Sequence, residues 1–184
     1  MMIETYISLV LILILFFIYC LLVFSLFFSP SSIKSILDSA PPVPTPKREI
    51  EAALKLLKPQ SGTIFHDFGS GTGRVLKTAE KRYKVRGVGF EHSAFFWLIS
   101  NTLLRISGLE SRAVKKSLDQ ADISGVDQAY CYTSQKIMSR LEKRIIEEEL
   151  ELKLVSYCFP FPGLKPKEIK RSPRGRKIFL YDTT

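Results

Sequence analysis

The stretch HDFGSGTGRV, residues 66–75, sets three glycines at alternate positions behind an aspartate. Before it, GTIFHDF (62–68) is a short apolar run of strand length, and after it RVLKTAEKRY (74–83) carries helical spacing. A strand, a glycine turn and a helix in that order place the N–H groups of the turn, and the positive end of the helix dipole, at the carboxyl edge of a sheet. Open α/β sheets bind their ligands there. Glycines at 69, 71 and 73 let the chain turn tightly and let a ligand approach the backbone with no Cβ in the way. Two ligand classes fail on spacing. Counted from Gly69 the third glycine comes one residue too early for the dinucleotide pattern G-x-G-x-x-G, and counted from Gly71 the sixth position is Leu76. No G-K-[ST] follows, so the phosphate loop fails too. What remains is D-x-G-x-G-x-G, headed by Asp67.

Working outward, KVRGVGFE (84–91) reads as a second strand ending at Glu91, 24 residues beyond Asp67. A carboxylate in that position can accept from both hydroxyls of a ribose; an ordinary surface acid at a strand end is the plainer alternative. HSAFFWLISNTLLRIS (92–107) is a strongly apolar helix, SRAVKKSL (111–118) and DQAYCYT (127–133) are two more strands, and SQKIMSRLEKRIIEEEL (134–150) is a helix with Ile137, Met138, Leu141 and Ile145 inward. KLVSYCF (153–159) and KIFLYD (177–182) complete the strands. Upstream, PKREIEAALKLLK (46–58) is a helix with Ile50, Ala53, Leu54 and Leu57 on one face, Thr45 as its cap and Pro46 at its first position. Strands alternating with helices predict a doubly wound α/β domain around a mostly parallel sheet.

The N-terminus departs from this pattern. Of the chain's 184 residues 46% are hydrophobic, and the apolar excess is concentrated in residues 5–28, where the run from Tyr6 to Phe28 carries no charge. A bilayer core needs about 20 apolar residues in a helix. A cleavable signal would want a basic start, a shorter apolar core and a small-residue cleavage site; MMIET has no cation and no A-x-A follows. The segment therefore reads as a transmembrane anchor. The first cations, Lys34, Lys47 and Arg48, follow it, which places the rest of the chain on the cytoplasmic side. Residues 29–44, rich in Ser and Pro, read as a linker, and residues 45–184 as one domain.

Cys20, Cys131 and Cys158 form no C-x-x-C or paired framework, and His66 and His92 have no partner at ligand spacing, so free thiols and no metal site are expected.

The glycine loop resembles the first motif of the class I, Rossmann-like S-adenosylmethionine-dependent methyltransferases. A closer resemblance spans nearly the whole chain: VPTPKREIEAAL, HDFGSGTGRVLKTAEK, VGFEHSAFFWLISNTLLRI, MSRLEKRI, VSYCFPFPG and a terminal YD, behind an uncharged N-terminal span, look like the small membrane-anchored lysine methyltransferases. Their animal members act in mitochondria on the ATP synthase c-subunit and the adenine nucleotide translocase. The resemblance implies transfer of a methyl group from S-adenosylmethionine to a lysine of a membrane protein. It places Asp67, Gly69, Ser70, Gly71 and Gly73 at the methionine end of the donor, Glu91 at the ribose and Ser117 at the adenine. Thr72 and Ser117 depart from the resembling sequences, which commonly carry acids there; an uncharged Ser117 is the weaker acceptor, and Asp119 could replace it only if the strand before it ended differently. The soluble part is short for the class, which implies trimmed helices or trimmed antiparallel edge strands.

A lysine at neutral pH is almost wholly protonated, so its site must disfavour that charge, most simply by desolvation among aromatics. Tyr132, Thr133 and Gln135 after the fourth strand, and Phe159 and Phe161 after the fifth, are placed to border such an acceptor channel; plain core packing is the alternative for the two phenylalanines. No general base is obligatory if the amine arrives neutral. The formal net charge is +9, and KPKEIKRSPRGRK (165–177) concentrates cations. It reads as an anionic-membrane contact, with a solvated loop as the alternative; it lacks the interleaved aromatics of a nucleic-acid surface. A non-catalytic tethered module, and a methyltransferase acting on a lipid or small molecule, are the competing functions. The methyl acceptor and the oligomeric state are not encoded in any motif. The compartment depends on the source of the chain: a cytoplasmic membrane in a prokaryote, the mitochondrial inner membrane in a eukaryote.

Overall fold

Asp67 lies at the C-terminal end of a central strand in the computed structural model, which describes residues 2–27 and 43–184. The chain falls into two compact units, Met1–Asp38 and Ser39–Thr184. In the first, α1 (Met2–Phe27) is an apolar helix whose side chains from Thr5 to Ser25 are exposed but for a half-buried Val23. Those 21 residues would cover about 30 Å at 1.5 Å per residue, the thickness of a bilayer core. The expected linker, up to residue 42, lies outside the described residues.

The second unit is a seven-stranded sheet in the order β3-β2-β1-β4-β5-β7-β6. Five strands run parallel: β1 (Ile64–Phe68), β2 (Arg86–Glu91), β3 (Arg112–Lys115), β4 (Gln128–Cys131) and β5 (Lys153–Tyr157). Strand β7 (Lys177–Asp182) is antiparallel to β5, and β6 (Glu168–Arg171) is antiparallel to β7. The doubly wound, mostly parallel architecture expected from the sequence is the one observed. Alternation along β1 divides the core: Phe65 joins α2 (Lys47–Leu57) and α3 (Arg74–Tyr83) through Ile50, Leu54 and Leu76, while Phe68 faces α5 (Gln135–Glu147) with Met138, Leu141 and Ile145. Ile137, expected inward with them, is only half-buried.

Three expectations change. Strand β6 lies inside the basic run 165–177, where no strand was expected; all four of its residues are exposed, so no apolar alternation marks it. The antiparallel edge strands are therefore present, and the shortness of the domain falls on the connections, since residues 116–127 and 158–167 contain no helix. Thr45 does not cap α2: Pro46 occupies the cap position without a side-chain bond, and its carbonyl accepts from the amides of Glu49 and Ile50.

The fourth helix, α4 (Ala94–Ile106), covers the free edge of β3. The Asn101 side chain accepts from the Ala113 amide (3.0 Å) and donates to the Ala113 carbonyl (3.0 Å), as a neighbouring strand would, and the Trp97 indole donates to the same carbonyl (3.1 Å). The edge is thereby closed to a further strand.

Candidate active site

The crevice beyond the carboxyl ends of β1 and β4, where the order of strands reverses, is the expected binding place in such a sheet. The loop after β1 is shaped by three positive-φ glycines, Gly69 (88°), Gly71 (53°) and Gly73 (75°). The amides of Gly69 and Ser70 donate to the Phe90 carbonyl (3.1 and 3.0 Å), which ties the loop to β2. Gly73 begins α3, and a Cβ there would collide with Ser100 Oγ. At Gly71 a Cβ would meet only open space, so the open side of the loop is at Gly71.

Glu91 is fixed by this loop. Its Oε2 accepts from the Gly71 amide and its Oε1 from the Ser93 amide, both at 2.8 Å. A carboxylate has about four lone-pair positions, so both oxygens keep capacity for the hydroxyls of a bound ribose. Asp67 is buried, and its Oδ2 has no hydrogen-bond partner; the Ser70 hydroxyl is likewise buried and unpartnered. Burial, and secondarily the Glu91 charge, push the Asp67 carboxyl well above the usual carboxylate range. An unsatisfied buried carboxyl disfavours the empty state and fits a cationic, N–H-bearing group such as the amino-acid end of S-adenosylmethionine. Gly89 makes room for Ser70: a Cβ on it would come within 2.5 Å of the Ser70 Cβ. Ser117 is half-buried in the turn after β3. Asp119 forms an exposed ion pair with Arg140 at 2.6 Å.

Next to this loop, Thr133 stands behind Gly69, its Cγ2 3.1 Å from where a Cβ would be. Tyr132 packs edge-on against Tyr157 (ring centroids 5.0 Å apart) and parallel to Phe159 (6.2 Å). These three rings, Thr45 and the turn residues Arg174 and Arg176 line a cavity of about 770 Å³. The wall is held from outside: Ser156 Oγ donates to the Phe159 carbonyl and Gln135 Nε2 to the Pro160 carbonyl (3.0 Å). Cys158 has φ of +71°, and the Phe159 amide donates to the Tyr157 carbonyl across it, a tight three-residue turn that is strained for any side-chain-bearing residue.

Of the five residues placed at the acceptor channel by sequence, Tyr132 and Phe159 line the cavity, Thr133 lies beside Gly69, and Gln135 bonds the Pro160 carbonyl next to Phe159. Phe161 does not border it. It is 3% exposed and packs edge-on against Tyr181 in the core beneath α5, so the packing alternative holds for that phenylalanine. The two rings diverge after Phe159: the Phe161 amide donates to the Tyr181 hydroxyl (3.0 Å), which draws that residue into the core.

Glu49 was missed. It is not among the core or site residues expected from the sequence, yet it is 1% exposed and accepts from the Tyr157 hydroxyl (2.6 Å) and the Arg174 amide (3.1 Å). Burial alone would raise its pKa; hydrogen bonds from Ser172, Tyr157 and the Arg174 amide outweigh that and lower it. Burial and the Glu49 hydrogen bond raise Tyr157 far above the usual phenol range, so it remains a neutral donor. No linear motif connects positions 49, 157 and 174.

Comparison with known proteins gives the same picture. The RNA methyltransferase from Salinibacter ruber, solved with S-adenosyl-L-homocysteine, superposes with a TM-score of 0.71 at 23% identity, over 77% of this chain and 94% of that one. An S-adenosylmethionine-dependent methyltransferase from Thiobacillus denitrificans, also solved with S-adenosyl-L-homocysteine, gives 0.52 at 19% identity, over 61% and 48%. At these identities the likeness speaks for the class I methyltransferase fold. A protein-lysine N-methyltransferase of Saccharolobus islandicus (strain REY15A) is 27% identical over 157 residues, 80% of this chain and 96% of the relative. The model of the ANTKMT methyltransferase domain matches residues 67–168, more than half of the chain. With that match running from Asp67 through the glycine loop and the aromatic cavity to β6, the chain belongs to the ANTKMT methyltransferase domain family and is an S-adenosylmethionine-dependent methyltransferase.

Proposed function

We propose that the protein N-methylates a lysine side chain of a membrane protein, tethered beside its substrate by α1. The observation that carries this reading is the aromatic cavity of Tyr132, Tyr157 and Phe159, whose Tyr132 carbonyl oxygen lies 3.9 Å from where a Cβ on Gly69 would be; the lysine methyltransferase relative agrees with it. Asp67, Ser70 and Gly71 would hold the methionine end of S-adenosylmethionine, Glu91 its ribose and Ser117 its adenine. When bound, that molecule supplies an electrophilic methyl group.

The chain's own contribution is to deliver a neutral amine in the right direction. Like charge and desolvation both lower the pKa of an ammonium, and the cavity combines three aromatic rings with the cations Arg174, Arg176 and Lys177. An incoming lysine therefore sheds its proton to solvent at the cavity mouth. The rigid wall then fixes its approach, and orientation of this kind can supply several kcal/mol of rate. The cations that follow the span favour a cytoplasmic-side domain, with its boundary near residue 45. The exposed cations of β6 suit an anionic membrane surface in addition to protecting a sheet edge.

Methyl-labelled S-adenosylmethionine, mixed with membranes lacking the endogenous protein, tests the function. The full-length chain is expected to label a discrete protein band that yields methyl-lysine on hydrolysis. Gly71→Arg, whose side chain fills the open side of the loop, is expected to abolish that label. Label confined to lipid, small molecules or RNA would overturn the lysine assignment. No label in any fraction, with no donor binding, would leave a non-catalytic tethered module.

A further inference from the structure

Helix α4 has its polarity turned inside out. Its fully buried positions are Ser100 and Leu104, and Asn101 turns in to bond Ala113 on the edge of β3. Beside Thr102 and Arg105, its exposed positions include large aliphatics: Leu98 is 50% exposed, Leu103 44% and Ile106 80%. A surface helix of a soluble domain normally buries its aliphatic side chains and exposes its polar ones. The sequence supplies enough Leu and Ile here to bury a full face, yet the sheet edge takes polar groups, and the aliphatic face is left outward. Contiguous apolar surface of this kind marks an interaction site.

Charge selects the occupant. Arg105 is exposed in the last turn of α4, and Arg112, Lys115 and Lys116 are exposed on and just after β3, the strand α4 covers. An apolar helix face bordered by cations is the pattern of a helix lying in the headgroup region of an anionic bilayer. The same chain carries a helix long enough to cross that bilayer. We infer that α4 is a second membrane contact, an in-plane docking helix that seats Leu98, Leu103 and Ile106 among acyl chains while Arg105, Arg112, Lys115 and Lys116 meet anionic headgroups. This rests on the reading of α1 as a membrane span. Docking through α4 fixes the rotation of the domain on the membrane, which a single spanning helix does not set. Because α4 follows directly from Glu91 and Ser93, it also holds the glycine loop at a set orientation to the bilayer, where a lysine of an integral protein must be met.

The chain contains one tryptophan, Trp97, and it lies on α4, so fluorescence reports on this helix alone. Full-length protein is reconstituted into vesicles of phosphatidylglycerol and phosphatidylcholine, with or without bromine atoms at a shallow acyl position. Flotation reports insertion through α1, and bromine quenching of Trp97 reports docking of α4. The expected result is flotation together with at least twofold quenching, weaker in phosphatidylcholine alone. In the double variant Leu103→Asp, Ile106→Asp, quenching is expected to be lost while flotation and donor binding persist. Flotation without quenching overturns the docking helix and leaves the anchor standing. Failure to float overturns both. Trp97 emission that changes with protein concentration and not with lipid bromination would assign the face to a second copy of the chain, and would also overturn the proposal.

Discussion

Asp67 concentrates the tension of the glycine loop in one carboxyl. It is buried with an unpartnered oxygen, and burial followed by the Glu91 charge raises its pKa well above the ordinary value. In the unfolded chain an aspartate ionises near pH 3.9. Between that pH and the raised native value the folded protein binds more protons than the unfolded one, so stability falls as pH rises. Asp67→Asn removes this penalty. Urea unfolding across pH 3.5 to 8 is expected to show the donor-free variant gaining on the parent chain as pH rises, while calorimetry shows its affinity for S-adenosylmethionine reduced at least tenfold. A variant that tracks the parent at every pH would show that Asp67 is not held neutral. The motif D-x-G-x-G-x-G made Asp67 conspicuous in the sequence. Its burial and its lack of a partner arise from the packing of β1 between β2 and β4.

At the scale of elements, the strands of the parallel sheet were legible because apolar runs and glycine turns are local signals, although their ends shifted by one to three residues. Strand β6 was not legible. An edge strand with every residue exposed has no buried face to impose alternation, and its hydrogen bonds to β7 depend on register alone. Helix α4 was legible as a helix and not as a helix turned inside out, since an apolar stretch looks the same whether it faces core or solvent. Asn101 gives the clearest test of its role at the sheet edge. Replacing it with alanine leaves the Ala113 amide without its acceptor, which should cost about 1–2 kcal/mol and unblock the edge of β3. A lowered Tm with association that grows with protein concentration is expected; unchanged values of both would mean that Trp97 alone closes the edge.

Over the molecule as a whole, the long-range connection between Glu49, Tyr157 and Arg174 joins α2 to the cavity wall and the β6–β7 turn. Hydrogen bonds from Ser172, Tyr157 and the Arg174 amide outweigh burial and hold the Glu49 pKa down. A depressed native pKa contributes stability that is present above the unfolded value, about pH 4.3, and is lost as pH falls through the native one. Glu49→Gln keeps one acceptor oxygen for several donors, and a loss of about 1–3 kcal/mol at neutral pH is expected. Denaturant unfolding should show the two chains converging in acid. A constant difference at all pH values would assign the loss to packing instead of charge.

What is local or periodic could be read along the chain: the glycine loop behind Asp67, the strand ending at Glu91, the alternation of strands and helices, and an uncharged helix of bilayer length. These depend on neighbours within a few positions along the chain, and spacing encodes them directly. Only the tertiary structure decided which of Phe159 and Phe161 faces the cavity, that Glu49 is buried beneath it, that a basic run is an edge strand and that α4 turns its aliphatic face outward. Each of these depends on residues far apart in sequence meeting in the fold, as Phe161 meets Tyr181.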